Sequence, residues 1–536
     1  MNEESSDVGN LLKVLSFLDL ETIPVGMIVD GANEWLRFQN ERSRSNNTLS
    51  HVYSQFHSLA ILITSPIKFQ TVLQKLQSLS LVERRSDSGI ASLWMHDLIG
   101  FMIQDTTKKE ESYRGWLESS VSLVCDAFGL IEDVGLPESW GECEKVISHL
   151  RSLNTKWGGV HGMNLELNQA NVKIARYMDC RGRYDEAVTL LQRALSTYET
   201  HLGQDHPDTL RSMDSLGCMY WRQGRYDDAE VMHQRALAGR EKHLGADHPD
   251  TLTSMHDLAL VCDSQGRYDE AEALFQRVLT GYEKHFGADH PQTLTSLDNL
   301  ALVYQSQGRY DEAETLFQRA LAGSEKHLGA DHPDTLTSVN NLALVYQSQG
   351  RYDDTEALFQ RALAGSEKHL GANHPDTLAS VNNLALVYRL QGRYNEAEML
   401  FQRALAGYEK QLGSDHPDTL TSVNNLAIVY RSQGRYGEAA TLFQRSLAGS
   451  ERHLGANHPD TLTSVNNLAI VYQSQGRYDE AEALSQRASA GREKCLGADH
   501  PRMHNSMRAL ASIYESQGRH QEAEALYTRV SLAEGK

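Results

Sequence analysis

Between Asp331 and Asn373 the chain carries two apolar stripes separated by turn residues. Leu336, Val339, Leu342, Ala343 and Tyr346 recur at intervals of three and four residues, which brings side chains to one face of a helix. Pro333 suits a first helical position, Asp331 or His332 can cap the free N–H groups, and Gly350 predicts a left-handed stop. A second helix opens with Asp353 and Asp354 at its positive end. Its buried face is read as Ala357, Leu358, Phe359, Ala362 and Leu363, and it ends near Gly371. The predicted unit is a helical hairpin.

That hairpin is copied. Gly-Arg returns at Gly182, Gly224, Gly266, Gly308, Gly350, Gly392, Gly434, Gly476 and Gly518, nine times at a strict spacing of 42. Fixed self-similarity on this scale marks a solenoid or a propeller. Gly365 falls inside the second helix, where glycine costs about 1 kcal/mol against alanine. It returns at Gly239, Gly281, Gly323, Gly407, Gly449 and Gly491, which leaves close packing or a bend as its two explanations.

The spacing of Leu342, Ala343, Tyr346, Gly350, Tyr352, Phe359 and Ala362 resembles the tetratricopeptide repeat. Thr355 departs from it where the family has Ala and where Ala313, Ala397, Ala439 and Ala481 stand in other copies. The unit is about eight residues longer than the standard repeat and resembles the kinesin light chain type in its "GRYDEAE" and "HPDTL" phrases. The resemblance implies nine hairpins over 158–536, stacked into an all-α superhelix with the first helices on the concave side. It also implies that Asn341, with Asn299, Asn383, Asn425 and Asn467, holds a peptide backbone, beside a preceding Asn340, Asn382, Asn424 and Asn466. An amide offers donors and an acceptor, so it can satisfy an extended strand without reading its sequence.

One column varies inside otherwise copied words: Trp221, Asp263, Gln305, Gln347, Arg389, Arg431 and Gln473. If it faces the groove, Trp221, Arg389 and Arg431 become candidate ligand-choosing residues. A second varying column, Arg240, Tyr282, Ser324, Ser366, Tyr408, Ser450 and Arg492, is expected on the convex side as neutral drift. The eight His-Pro pairs from His206 to His500 are read as helix starts, because packed helices lie roughly 8 to 10 Å apart while metal ligands converge at about 2 Å. No metal site follows. The last unit, with His504, Asn505 and Arg508, is read as a polar cap.

Residues 1–104 have another texture. An apolar helix covers Leu11 to Leu18, a second starts after Thr22 and Pro24, and a third opens at Ser65-Pro66 with Ile67, Phe69, Val72, Leu73, Leu76 and Leu79. "LVERR", a turn at Ser86–Gly89 and "IASLWM" read as a hairpin, giving a winged-helix order. Met95-His96-Asp97, at the strand-to-helix junction, resembles the MHD motif of NB-ARC signalling ATPases, the class that includes NOD-like receptors. In that family the His senses bound ADP. No GxxxxGK[ST] phosphate loop occurs, so ADP or ATP belongs only to a longer form, and this chain is expected to be the C-terminal, ligand-sensing part of such a receptor. Residues 105–157 are expected to form a helical linker.

The charge narrows the partners. Net charge is -20, with 14 Lys+Arg against 21 Asp+Glu before residue 158 and 37 against 50 after it, so neither part has a nucleic-acid footprint. Six scattered cysteines read as free thiols in a reducing compartment. No apolar run reaches the roughly 18 residues of a membrane span. The expectation is a cytoplasmic, cofactor-free, non-catalytic scaffold binding a protein or peptide, with self-association in a receptor context. A kinesin-light-chain-like cargo adaptor and a spacer or decoy array without a specific ligand are the alternatives.

Overall fold

The computed structural model describes residues 3–38, 50–87, 90–110, 112–158, 164–497 and 500–534. The chain divides into two compact units, one of residues 1–180 with 189–203 and one of 181–188 with 204–536.

The first unit opens with helix α1 (Glu3–Leu15), strand β1 (Ile23–Pro24), α2 (Val25–Arg37), α3 (Ser50–Ile63) and α4 (Pro66–Ser78). Strands β2 (Glu83–Asp87) and β3 (Ile90–Trp94) follow, then α5 (Asp97–Lys109), α6 (Tyr113–Gly129) and α7 (Trp140–Trp157). The three short strands form an antiparallel sheet in the order β1-β3-β2, with Arg84 and Ile23 both opposite Leu93. Ser88 and Gly89 of the expected turn lie outside the described residues. Phe69, Val72, Leu73 and Leu76 bury one face of α4, whereas Ile67 and Leu79 are exposed, so the apolar stripe is narrower than its composition suggests. Trp35 meets Phe56 edge-on at 4.9 Å inside this core. Helix α7 is tied in by Lys156, whose Nζ donates to Phe17 O at 2.8 Å, and by His149, whose Nδ1 accepts from Asp19 N at 3.1 Å. Burial pushes the Lys156 ammonium down to about 8 and the His149 imidazole down to about 4.

In the repeat unit 331–372 the helices run Pro333–Ser348 and Tyr352–Leu370. His332 is the cap, its Nδ1 accepting from Asp334 N at 3.2 Å, while Asp331 pairs with Lys368 at 2.7 Å. Gly350 takes a φ of +77°, and Arg351 N donates back to Tyr346 O at 2.9 Å, closing the left-handed stop. Leu336, Val339, Ala343, Phe359 and Ala362 are buried. Thr355 belongs to the buried face and Ala357 does not. The Thr355 hydroxyl is accommodated by donating to Arg351 O at 2.8 Å. A methyl group on Gly365 would lie 2.8 Å from Leu336 Cδ1, and Gly323, Gly407 and Gly449 meet Leu294, Leu378 and Leu420 in the same way. Close packing of the two helices, not a bend, explains this glycine.

Neighbouring hairpins are laced by the copied Arg. Arg351 lies over the Tyr346 ring at 3.7 Å, pairs with Asp354 at 2.9 Å and reaches Glu314 of the preceding unit at 3.3 Å. Arg393 repeats this with Tyr388, Glu396 and Glu356, and Arg435 with Tyr430, Glu438 and Glu398. Single exposed pairs of this kind are weak, but a stacked and paired set that also recurs at Arg309 and Arg519 adds along the array.

Within the second unit the superhelix also meets itself. The turns at Gly182, Gly224 and Gly266 face the helix starts at Pro417, Pro459 and His500-Pro501, between five and six repeats further along. A methyl group on Gly182 or Gly224 would sit 2.7 Å from the Cδ of Pro417 or Pro459. His458 uses both nitrogens there: Nδ1 accepts from Asp460 N at 3.1 Å as the helix cap, and Nε2 donates to Arg222 O at 3.1 Å across the seam. The side chains of His416 and His458 are 8% exposed, against 38%, 40% and 40% for His206, His248 and His332.

Candidate functional site

First helices of successive hairpins, such as Pro291–Ser306 and Pro333–Ser348, pack directly on one another more closely than second helices do. They therefore occupy the inner side of the curvature, as the repeat pattern implied, and bring the two Asn columns and the variable column together.

The two Asn columns differ. The earlier one turns into the junction between units: Asn382 Nδ2 donates to Ser422 Oγ of the next unit at 2.7 Å. The side-chain carbonyls of Asn340, Asn382 and Asn466 are buried and accept no hydrogen bond. Asp298 stands in the same column, takes a hydrogen bond from Ser338 Oγ at 3.0 Å, and is pushed by burial up to about 7. The later column is half-buried. Asn467 Nδ2 donates to Asn424 Oδ1 at 3.2 Å and Asn299 meets His256 Nε2 at 2.7 Å. Asn341 stands beside Asp298. Asn383 and Asn425 lie between these, one repeat apart on the same face.

The variable column runs beside them. Trp221 Nε1 donates to Ser264 Oγ at 2.7 Å, Gln305 Nε2 to Ser348 Oγ at 2.9 Å and Gln473 Nε2 to Ser516 Oγ at 2.8 Å, each clipping one first helix to the next. Gln347 lacks the clip, because Leu390 stands where the others find Ser, and its Oε1 is buried unbonded. Arg389 and Arg431 are half-buried, with no acid partner among the described residues, and Arg389 Nε donates to no neighbour among them. Burial holds the Arg389 guanidinium below its ordinary range, and Arg431 is lowered by burial and by the charge of Arg389. Trp221 and Asp263 also line a cleft of about 410 Å³ at the seam, with Tyr226, Tyr268, His458 and Arg502.

The second varying column is not convex drift. Tyr282, Ser324, Ser366, Tyr408, Ser450 and Arg492 are buried at the unit junctions. Arg240 donates to Ser254 Oγ of the next unit at 2.8 Å and pairs with Asp214 at 2.8 Å. Asp214 also meets His233 Nδ1 at 3.2 Å. His233 replaces the core Phe of other copies, and Gly217 replaces their Ala, because a methyl there would lie 2.6 Å from His233 Nε2. Asp214, His233 and Asp257 lie close enough to share an ion, but Arg240 and Ser254 already satisfy Asp214. The variation is thus internal compensation, invisible in one sequence because helix periodicity does not show which neighbour a face meets.

His96 caps α5, its Nδ1 accepting from Leu98 N at 3.1 Å, with Asp97 in the first turn. Both side chains are exposed, and Leu98, Phe101 and Met102 stand 60%, 67% and 60% exposed on the same helix. No helix among the described residues is long and apolar enough to cross a membrane.

A curved stack of helical hairpins with an asparagine-lined inner face defines a repeat scaffold. The tetratricopeptide repeat model matches overlapping stretches from 166–242 through 460–531, and the chain belongs to the tetratricopeptide repeat family. No protein of curated function matches it. Among solved structures, the chain is similar to nearly identical TPR-like repeats of a kinesin light chain-type protein from Podospora anserina, at 30% identity and a TM-score of 0.33, over 37% of this chain and 95% of that one. A Rap protein complexed with competence and sporulation factor is similar at 14% identity and a TM-score of 0.47, over 70% and 99%. A Signal Transduction ATPase with Numerous Domains from Pyrococcus horikoshii, with a tetratricopeptide repeat sensor, is similar at 13% identity and a TM-score of 0.40, over 99% and 63%.

Proposed function

We propose that the repeats hold an extended peptide or protein segment bearing acidic side chains against the inner face, as a non-catalytic binding scaffold. The carrying observation is the Arg389–Arg431 pair: two neighbouring guanidinium groups kept half-buried without an acid partner among the described residues, in a chain of net charge -20. Leaving a desolvated cation unpaired is unfavourable unless a ligand supplies the anion, and a guanidinium presents a fork that matches a carboxylate. Asn383 and Asn425, on the same first helices, offer amides to the backbone of that segment.

A random peptide display selection on the full chain tests this reading. Selected sequences are expected to be enriched in Asp and Glu, and Arg389→Met with Arg431→Met is expected to abolish their capture. Selection of neutral sequences that bind both proteins equally would refute it.

A second reading is favoured by one observation in the first unit. The exposed Leu98, Phe101 and Met102 beside His96 form an apolar face suited to another domain, which supports the array as the sensor end of an NB-ARC receptor. The short sheet and its helices are compatible with the winged-helix element of that class.

A further inference from the structure

The seam inside the repeat unit brings together two edges that the copied sequence presents many times. One edge is the row of Gly turns at the ends of first helices, and the other is the row of His-Pro starts of first helices. They dock at three successive rungs, Gly182 on Pro417, Gly224 on Pro459 and Gly266 on His500. Each rung places a left-handed glycine, at φ +68°, +69° and +77°, where a Cβ would lie 2.7, 2.7 and 3.1 Å from the opposing ring.

The cap residue carries the argument further. Helix caps are ordinarily Ser, Thr, Asp or Asn, whose single oxygen suffices. Here a His caps every described first helix from His206 to His500. Its second nitrogen adds nothing to the cap, but at His458 that nitrogen donates to Arg222 O across the seam. The His is therefore the residue that serves a helix start and a second helix end at once.

Most copies of these edges are undocked. Gly308, Gly350, Gly392, Gly434, Gly476 and Gly518 keep the same positive φ with nothing within 4 Å. The docked turn reads Ser264-Gln265-Gly266-Arg267-Tyr268, and the same five letters stand open from Ser306 and from Ser348. The docked start reads "HPDTL" from His458, and the same five stand open from His206, His248 and His332.

We infer that these two open edges form a self-association surface whose partner is a second copy of this chain, docking its His-Pro edge on the Gly-turn edge of the first. The chemistry is already complementary, because each kind of edge makes the contact within one chain: the HPDTL start at His458 docks on the turn at Gly224, and the Ser-Gln-Gly-Arg-Tyr turn at Gly266 docks on the start at His500. The interface is heterologous, so each added copy leaves one edge of each kind free and the assembly is open rather than closed. It stands independently of the ligand proposed for the inner face.

The test is sedimentation velocity of the full chain over a broad concentration series, with two edge variants. His206→Asp, His248→Asp and His332→Asp keep a good cap while removing the second donor. Gly350→Asn, Gly392→Asn and Gly434→Asn put a side chain on the other edge with a residue that tolerates the left-handed turn. The unaltered chain is expected to form species that grow with concentration without a fixed stoichiometry, and either variant to weaken this by roughly ten- to a hundredfold. Mixing the two variants, each with one intact edge, is expected to give a 1:1 complex that grows no further, with circular dichroism confirming the fold of both. A chain that stays monomeric, a closed symmetric dimer, or variants that associate like the parent would overturn the inference.

Discussion

Two rows of arginine run along the same hairpins and meet opposite treatment. The row after the Gly turn, Arg309, Arg351, Arg393 and Arg435, is copied in each of these units, stacked on Tyr and paired with acids of its own and the preceding unit. The row on the inner face changes identity from unit to unit, and its two arginines, Arg389 and Arg431, have no acid partner among the described residues. The difference teaches that copying preserves what one hairpin needs from the next. Where the inner face varies, Trp221, Gln305 and Gln473 are still clipped to the next first helix, whereas Arg389 and Arg431 place charge that no acid of the described residues meets.

The largest effect comes from the packing beneath both rows. Phe359→Ala, at a position buried to completion, is expected to cost about 3 to 5 kcal/mol of the unit's stability. Urea unfolding of the chain should show an earlier transition. His233, in the equivalent place, does without the Phe only because Gly217 and Asp214 changed with it.

A smaller effect separates Asp298 from the Asn of neighbouring copies. Its carboxyl is held up to about 7 in the fold against an ordinary 3.8, so the folded chain retains a proton that the unfolded chain releases. Stability is then highest below the ordinary value, falls as pH rises from 3.8 towards 7, and levels off above it. Asp298→Asn should stabilise the array by roughly 2 to 4 kcal/mol at pH 8 and by almost nothing at pH 4, read from urea midpoints at the two pH values. A gain that does not change with pH would show that the carboxyl is not held protonated.

The hairpin, its stops and its caps were legible because each depends on residues within one 42-residue unit: Gly350 for the stop, His332 for the start, Leu336 and Phe359 for the stripe. Ala357 is exposed where the pattern places it on the buried face, because an apolar side chain need not be buried, whereas Thr355 is buried with its hydroxyl bonded to the helix behind it. The burial of Tyr282 and Arg492 was not legible, since period alone leaves open how far one hairpin rotates on the next. Nor was the seam, which depends on how many units complete a turn. Its one trace in the sequence is the choice of His for a cap that Ser or Asp could make.

The most direct test of the contrast between the two rows is the unfolding midpoint of two double variants in urea. Arg351→Met with Arg393→Met removes stacked and paired arginines and should lower the midpoint. Arg389→Met with Arg431→Met removes charges the fold leaves unsatisfied and should leave it unchanged or raise it. A loss of stability in the second variant as large as in the first would contradict the account, because the inner arginines would then belong to the fold rather than to a ligand.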